Sequence, residues 1–556
     1  VASAATIVVV SYFLDRIGLS FAPMLLLLIA IAAGAVALTW TGLTAAWDRA
    51  DLAAFAAVVV IAFAWLMWIA SPSFLPLGGG PDLTHHLLLI DYVERHWRLV
   101  HGPGVEDYLG EMVYYTPGSH VLTALAGAWT RSSGLHALHA VMAAAAALKA
   151  GFVYLIAMRT LAPGVPRVPL AMIAVVILFA SPTFFLGSFT EFSFLAQIVS
   201  ELFAMAMWWA LAAWDESPRW SLMFLVGLLG SAVFLTWPIL VGPPLLLLAA
   251  LMLLPRAMAF RLRLAHATVA LLPVVVTAAA FITALLFAGR IGMMMIAGTG
   301  GGAVTPTVSA YGPYGAWLLA ASAVGFVFSS IRREARTTIV LGAAIAVQGA
   351  VLYWFARRHA NPPYMALKLL YFFLYPQAVA AAIGIASVWR GIAAVATAPR
   401  VQTVGARAVR LESSLAWALA FGIALVVVRP LAGAPGSLSP GRKAATSLPL
   451  ERAGQWARAN LPAACVEYLV GNPDTAYWLH LAVLGHARMG ARTADNATYE
   501  LSPALVRWLT PGGLPYAIVD LPAIPSGVRS ELDILVQFDT AAVAKRRGPG
   551  KCAEGS

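Results

Sequence analysis

The sequence predicts an α-helical polytopic membrane protein with a small C-terminal α/β domain. Three observations carry this. Of 556 residues, 61% are hydrophobic and only 11% charged, a balance outside that of soluble globular domains. The apolar residues form continuous helix-length runs, not the alternating segments of about ten residues that build a membrane β-barrel. In hydrocarbon every backbone N–H and C=O needs an internal partner, so runs of this length become helices.

Against the roughly 20 residues needed per crossing, the spans read as 23–39, 52–70, 136–158, 168–187, 192–213, 221–236, 238–254, 266–288, 312–330, 337–355, 365–388 and 412–430. A run at 1–13 reads as a clipped helix: the sequence opens at Val1 inside apolar sequence, which points to a truncated or misassigned start rather than a signal peptide with a cleavage site. The bundle therefore has about 12–13 transmembrane helices.

The net charge of +11 is explained by topology. Arg159 and Arg167, then Arg256, Arg261 and Arg263, then Arg332, Arg333 and Arg336, then Arg390, Arg400, Arg407 and Arg410 fall in alternate loops, which marks those loops as cytoplasmic. The opposite face receives 71–135, the turn 187–192, the Gly-rich loop 289–311, the loop 356–364 and everything after 431. The basic residues are spread over loops and are not interleaved with aromatics in one patch, which argues against nucleic acid as a partner. No Walker-type phosphate loop is present, against an ATP-driven pump.

Residues 1–431 thus form the transmembrane domain with its first external loop 71–135, 432–441 a Gly/Pro/Ser linker, and 442–556 a soluble extracytoplasmic domain. In the latter, 448–460 reads as an amphipathic helix, Val466–Val470 as a strand, 474–488 as a second helix, and Tyr516–Asp520 and Asp533–Phe538 as strands. Cys465 and Cys552 both lie there, on the side where disulfides persist; a bridge and two unpaired cysteines are both consistent with their spacing. Asn496-Ala497-Thr498 has the form of a glycosylation sequon, to which no function is ascribed.

Ionisable residues near a bilayer are costly and mark chemistry. The first external loop carries Gly78-Gly79-Gly80-Pro81-Asp82-Leu83-Thr84-His85-His86, then Asp91, Glu94, Arg95, His96, Glu106, Asp107 and Glu111, and ends in Tyr114-Tyr115-Thr116-Pro117-Gly118-Ser119-His120. Such a turn delivers an acid and two histidines to the membrane surface, the raw material of a base or a metal site. Glu191 lies in the next turn of that face, and Arg357, Arg358, Tyr364 and Lys368 in a later one, with Tyr364 and Lys368 one helical turn apart. Gln197 and Glu201, also a turn apart in an apolar helix, face either a polar cavity or a neighbouring helix. Met293-Met294-Met295 reads as apolar filler and Gly300-Gly301-Gly302 as a flexible loop.

With these residues in place, the chain resembles the GT-C class of polytopic membrane glycosyltransferases, and is similar to its protein mannosyltransferase, aminoarabinose transferase and arabinofuranosyltransferase group. The similarity rests on the large first external loop, the acid soon after a helix exit, the Tyr115-Thr116-Pro117-Gly118-Ser119-His120 segment, and Tyr364 with Lys368. Thr116 stands where a second proline is frequent in that class. The resemblance implies transfer of a hexosyl or pentosyl unit from a polyprenyl-phosphate-linked donor to a glycan, lipid or protein acceptor of the cell envelope, at the external face of the inner (plasma) membrane. By it Asp82 and Glu191 are the catalytic acids. His85, His86, Tyr115, His120, Arg357, Arg358, Tyr364 and Lys368 bind substrate. A divalent cation, magnesium or manganese, is optional, and no metal ligand is assigned.

Two other classes compete. A transporter or lipid flippase would show matching Gly/Pro-broken helices in two halves and charges at the midplane, and neither is visible. A non-catalytic envelope assembly protein would need neither Asp82 nor Lys368.

Overall fold

The computed structural model describes residues 1–40, 48–78, 81–101, 105, 109–162, 164–254, 258–288, 307–312, 314–396, 414–422, 444, 446–484 and 499–552. The linker, Met293–Met295, Gly300–Gly302, the sequon, Gly79, Gly80, Glu106, Asp107, Arg256, Arg400, Arg407 and Arg410 lie outside these residues.

The chain is a multi-pass helical membrane protein. In order, the helices are α1 (Ala2–Arg16), α2 (Pro23–Trp40), α3 (Arg49–Ile69), α4 (Pro81–His96), α5 (Gly118–Thr130), α6 (Gly134–Thr160), α7 (Arg167–Phe179), α8 (Leu195–Glu216), α9 (Trp220–Thr236), α10 (Gly242–Leu253), α11 (Phe260–Phe287), α12 (Gly315–Ile331), α13 (Arg336–Arg358) and α14 (Tyr364–Ala396). Among the described residues seven helices are long and apolar enough to cross a membrane, and an eighth crossing results if α7 and Pro182–Thr190 count as one span bent by 65°. Trp220–Thr236, Pro238–Leu253 and Gly315–Ile331 are shorter apolar helices. Each run identified between 23 and 388 lies on a helix, while 412–430 is described only over 414–422.

The bend after α7 has a local cause. Pro182 lacks an N–H and pushes the residue before it out of the helical region, and Ser181 sits at φ −92°, ψ 99°. The chain then winds through a wide turn, Pro182–Gly187, before α8.

Burial sorts the helices. α6, α8 and α14 are buried over most of their length and form the centre, whereas α2, α3, α11 and α13 turn apolar side chains outward, as lipid-facing helices do. One end of the bundle is fastened by Arg159 to Glu216 at 2.8 Å and by Arg336 Nε to Asp215 at 2.8 Å. The chain leaves α3 at the other end for α4, an amphipathic helix with Pro81 at its start, Asp82 in its first turn and Arg95 and His96 in its last, each charge placed to suit the helix dipole.

The C-terminal domain contains α15 (Leu448–Asn460), β1 (Val466–Leu469), α16 (Pro473–Trp478), α17 (Leu501–Leu509), β2 (Tyr516–Asp520), β3 (Leu532–Phe538) and β4 (Ala541–Arg546). The sheet order is β1-β2-β4-β3, with β1 and β2 parallel and the other pairs antiparallel. Cys465 and Cys552 form a disulfide, which joins the start of β1 to the chain beyond β4 and decides between the two readings above. The expected helix 474–488 is shorter: α16 ends at Trp478, a wide turn covers Leu479–Val483, and 485–498 lies outside the described residues.

Candidate active site

The site is built where α4, α5, α8 and α14 converge. Asp82, on the first turn of α4, has an exposed carboxylate within Coulombic reach of His86, Tyr115, Tyr364 and Lys368. One turn along α4, His86 Nδ1 meets His120 Nε2 at 2.9 Å, and the Tyr115 ring stands edge-on to both imidazoles at 5.6 Å. Burial lowers the His86 imidazole to about 4 against the opposing pull of Asp82, and burial likewise holds His120 well below its usual range. The pair is therefore neutral, one ring donating to the other. The Tyr115 phenol is pushed up by burial and then by the Asp82 carboxylate.

The Tyr115–His120 segment is placed by close packing. Thr116 Oγ1 donates to the Thr236 carbonyl at 2.7 Å, and a Cβ on Gly118 would lie 2.9 Å from the Leu235 carbonyl oxygen. Only glycine lets the start of α5 approach the end of α9 this closely.

Facing the acid is Lys368, one turn into α14 from Tyr364 and 2% exposed. Its Nζ lies 2.9 Å from the Phe194 ring centroid, 5.1 Å from that of Tyr364 and 5.3 Å from that of Tyr371, an aromatic cage for a cation. Its hydrogen bond goes to the Gln197 amide oxygen at 3.2 Å, not to a carboxylate. Behind it, Glu201 accepts from Gln197 at 2.9 Å, from Tyr375 at 2.7 Å and from the buried Lys149 at 2.6 Å. Gln197 and Glu201 thus serve the helix-to-helix role of the two left open by the sequence.

Glu191 joins this group through the backbone. It is exposed, follows Ser188–Thr190, and acts electrostatically on Tyr371. Its loop is held to the strand of chain before α4: Gly78 N–H donates to Ser193 Oγ at 3.1 Å, and a Cβ on Gly78 would lie 2.7 Å from the Phe192 carbonyl carbon. This contact sets the loops of Asp82 and Glu191 side by side.

His85 turns the other way, as adjacent helical residues do. Its Nε2 is 3.3 Å from the Tyr477 hydroxyl of the C-terminal domain, and Thr84 Oγ1 donates to the Asp474 carbonyl at 3.3 Å. Arg357 and Arg358 sit exposed at the end of α13, with the Arg358 guanidinium over the Trp354 ring at 5.3 Å, and are not drawn into the Lys368 cage. Among the described residues no group of three or more His, Cys, Asp or Glu side chains stands close enough to hold a metal ion.

Sequence reasoning missed Phe194, Tyr371, Tyr375 and Lys149. Lys149 carried a signal, being a lone lysine inside the run Ala143–Gly151. The aromatics carried none, since aromatic residues are common throughout these helices.

No protein-family model matches the sequence, and no curated protein matches it. Solved structures do. The archaeal oligosaccharyltransferase AglB from Archaeoglobus fulgidus, in complex with an inhibitory peptide and a dolichol-phosphate, matches with a TM-score of 0.50 at 14% identity, over 85% of this chain and 69% of that one. The apo form of the Archaeoglobus fulgidus oligosaccharyltransferase gives 0.51 at 15% identity over the same shares. The chain has the GT-C membrane fold. ArnT from Cupriavidus metallidurans bound to undecaprenyl phosphate matches over 90% of this chain and 98% of that one, at 13% identity and a TM-score of 0.49.

Proposed function

We propose that the protein is a membrane glycosyltransferase that moves a hexosyl or pentosyl unit from a polyprenyl-phosphate donor to a cell-envelope acceptor. The observation that carries this is the pairing of an exposed acid, Asp82, with a buried and aromatic-caged cation, Lys368, across a site that is neutral in its histidines. The AglB neighbour, which shares the fold, is seen with a dolichol-phosphate and a peptide.

In the reaction the acceptor hydroxyl gives its proton to Asp82, its oxygen bonds to the anomeric carbon, and the bond from that carbon to the phosphate oxygen breaks with its electron pair leaving on the phosphate. Asp82 stands on the acceptor side as base or orienter. Lys368 stands on the donor side, where charge builds as the phosphate departs; a preorganised cation of this kind is worth about 2–4 kcal/mol of barrier. Its partner Gln197 offers only an amide dipole, so the cation is free of a competing carboxylate in its hydrogen bond. Tyr364 closes the cage, Glu191 and the His86–His120 pair line the space between, and Arg357 and Arg358 draw the anionic donor to the bilayer surface.

We place the site and the C-terminal domain on the extracytoplasmic face of a plasma (inner) membrane. Two features support this: arginines concentrate at the end of the bundle away from α4, and the C-terminal domain carries a disulfide.

The test is polyprenyl-phosphate release by the purified full chain in lipid, with a panel of polyprenyl-phosphosugars, for wild type, Asp82→Asn and Lys368→Ala. Asp82→Asn should abolish turnover and keep donor binding, while Lys368→Ala should weaken donor binding. A wild type that binds no donor, or full turnover in both variants, overturns the reading.

A further inference from the structure

Tyr115 forms part of the wall of a cavity of about 490 Å³ between α1, α4 and α11, which Lys368 and its cage do not line. The face of α4 that carries Asp82 and His86 continues to Leu89, and Leu89 lines this cavity too. A molecule held there is thus led along one helix face toward the acid.

The cavity has two characters. Phe281 and Leu285 of α11 form an apolar wall, on a helix that turns Leu272, Val275 and Leu286 outward toward lipid. The other rim is polar: Arg16 lies over the Tyr12 ring at 5.0 Å, and His101 also lines the cavity. That rim is fixed, because Asp15 accepts the Leu99 N–H at 2.9 Å and pairs with His101 Nε2 at 2.6 Å, while Arg98 donates to the Gly18 carbonyl at 2.7 Å. A water-soluble acceptor would find no use for an apolar wall continuous with a lipid-facing helix, and an uncharged lipid none for an arginine at the rim.

We propose that this cavity is the acceptor site and that the acceptor is an amphiphile with an anionic head, entering from the bilayer beside α11. Only the word acceptor rests on the glycosyltransferase reading; the lipid site is testable without turnover.

The test uses the full chain in phosphatidylcholine nanodiscs doped with phosphatidylglycerol bearing a photoactivatable acyl chain. Labelled peptides should come from α1 and α11, and a phosphatidylcholine probe of the same chain should label them far less. Arg16→Gln should lower labelling roughly tenfold or more, as loss of a charged contact does. Ala284→Trp should fill the cavity and do the same, with Leu285→Trp as a second variant if the first does not fold. Labelling unchanged in Arg16→Gln and in the filled variants means surface lipid only and overturns the proposal. Displacement of the probe by polyprenyl phosphate, with loss of labelling in Lys368→Ala, makes the cavity the donor's and also overturns it. Asp82→Asn should label as wild type does, so a failed enzyme reading leaves this result intact.

Discussion

His86 and His120, on α4 and α5, are joined by a 2.9 Å hydrogen bond between Nδ1 and Nε2 in a buried setting. The bond requires a neutral acceptor ring, and burial favours the neutral form of both. Each imidazole titrates near 6.5 in the unfolded chain, whereas folded His86 is lowered to about 4. The unfolded state therefore binds the extra proton first as pH falls. The stability contributed by the neutral pair is complete above about pH 6.5 and is lost as pH drops through that range toward about 4. Thermal unfolding of the full chain from pH 8 to pH 4 should show this loss, and His86→Gln with His120→Gln should flatten it. An equal slope in the double variant would assign the acid sensitivity elsewhere.

Glu94 has the opposite sign. It lies on α4 beside Glu451 and Arg458 of the C-terminal domain, and burial raises its carboxyl from 4.5 to about 7, with Asp91 adding to the rise. The folded state binds the extra proton here, so the contact between α4 and the C-terminal domain weakens as pH rises from about 4.5 to about 7. Glu94→Gln should remove that slope and protect the domain from proteolysis at neutral pH. Protection equal to wild type at pH 8 would show that the carboxyl is solvated.

The Cys465–Cys552 disulfide encloses a loop of 87 residues in sequence separation. Closing a loop of this length constrains the unfolded chain by up to about 4–5 kcal/mol. Cys465→Ser or Cys552→Ser should unfold the C-terminal domain first, seen as protease cuts beyond 446 while the membrane helices stay intact. Because Thr84 and His85 of α4 lean on this domain, turnover should fall as well.

Gly78→Ala tests the contact between the Asp82 and Glu191 loops. The new Cβ would overlap Ser193 N and the Phe192 carbonyl carbon, both backbone atoms that cannot swing aside. Overpacking of this kind costs about 1–3 kcal/mol and shifts the backbone. The expected result is a fall in turnover with donor binding at Lys368 largely kept, read as kcat against KM for the donor. Loss of donor binding with kcat unchanged would place the effect at the cage.

The helices were legible because each apolar run is long and continuous, and the start of α4 was marked by Pro81 followed by Asp82, a pair that suits a helix N-terminus. What the sequence hid is three-dimensional. Nothing in Gly78 or Ser193 alone announces that two loops touch. β4, Ala541–Arg546, is alanine-rich and poor in strand formers, and becomes a strand because β2 and β3 pair with it on either side. α17 did offer a signal, with Ala504 and Trp508 one turn apart and both buried. Arg357 and Arg358 were read as site residues from their position against the positive-inside pattern, and they lie in the last turn of α13.

The chain from Lys149 through Glu201 and Gln197 to Lys368 gives the sharpest energetic expectation. Lys149 and Glu201 are each 1% exposed, so each charge depends on the other. Glu201→Gln leaves the ammonium of Lys149 buried without a counter-charge, and breaking a buried pair in this way costs about 3–5 kcal/mol. Lys149→Met with Glu201→Gln removes both charges and should recover most of that loss, measured as the thermal midpoint in detergent. Recovery of stability need not recover function. Glu201 also accepts from Gln197, whose amide oxygen holds Lys368, so the stabilised double variant should still bind the donor more weakly than wild type. If it binds donor as wild type does, the network is only a brace between α6 and α8, and Lys368 is held by its aromatic cage alone.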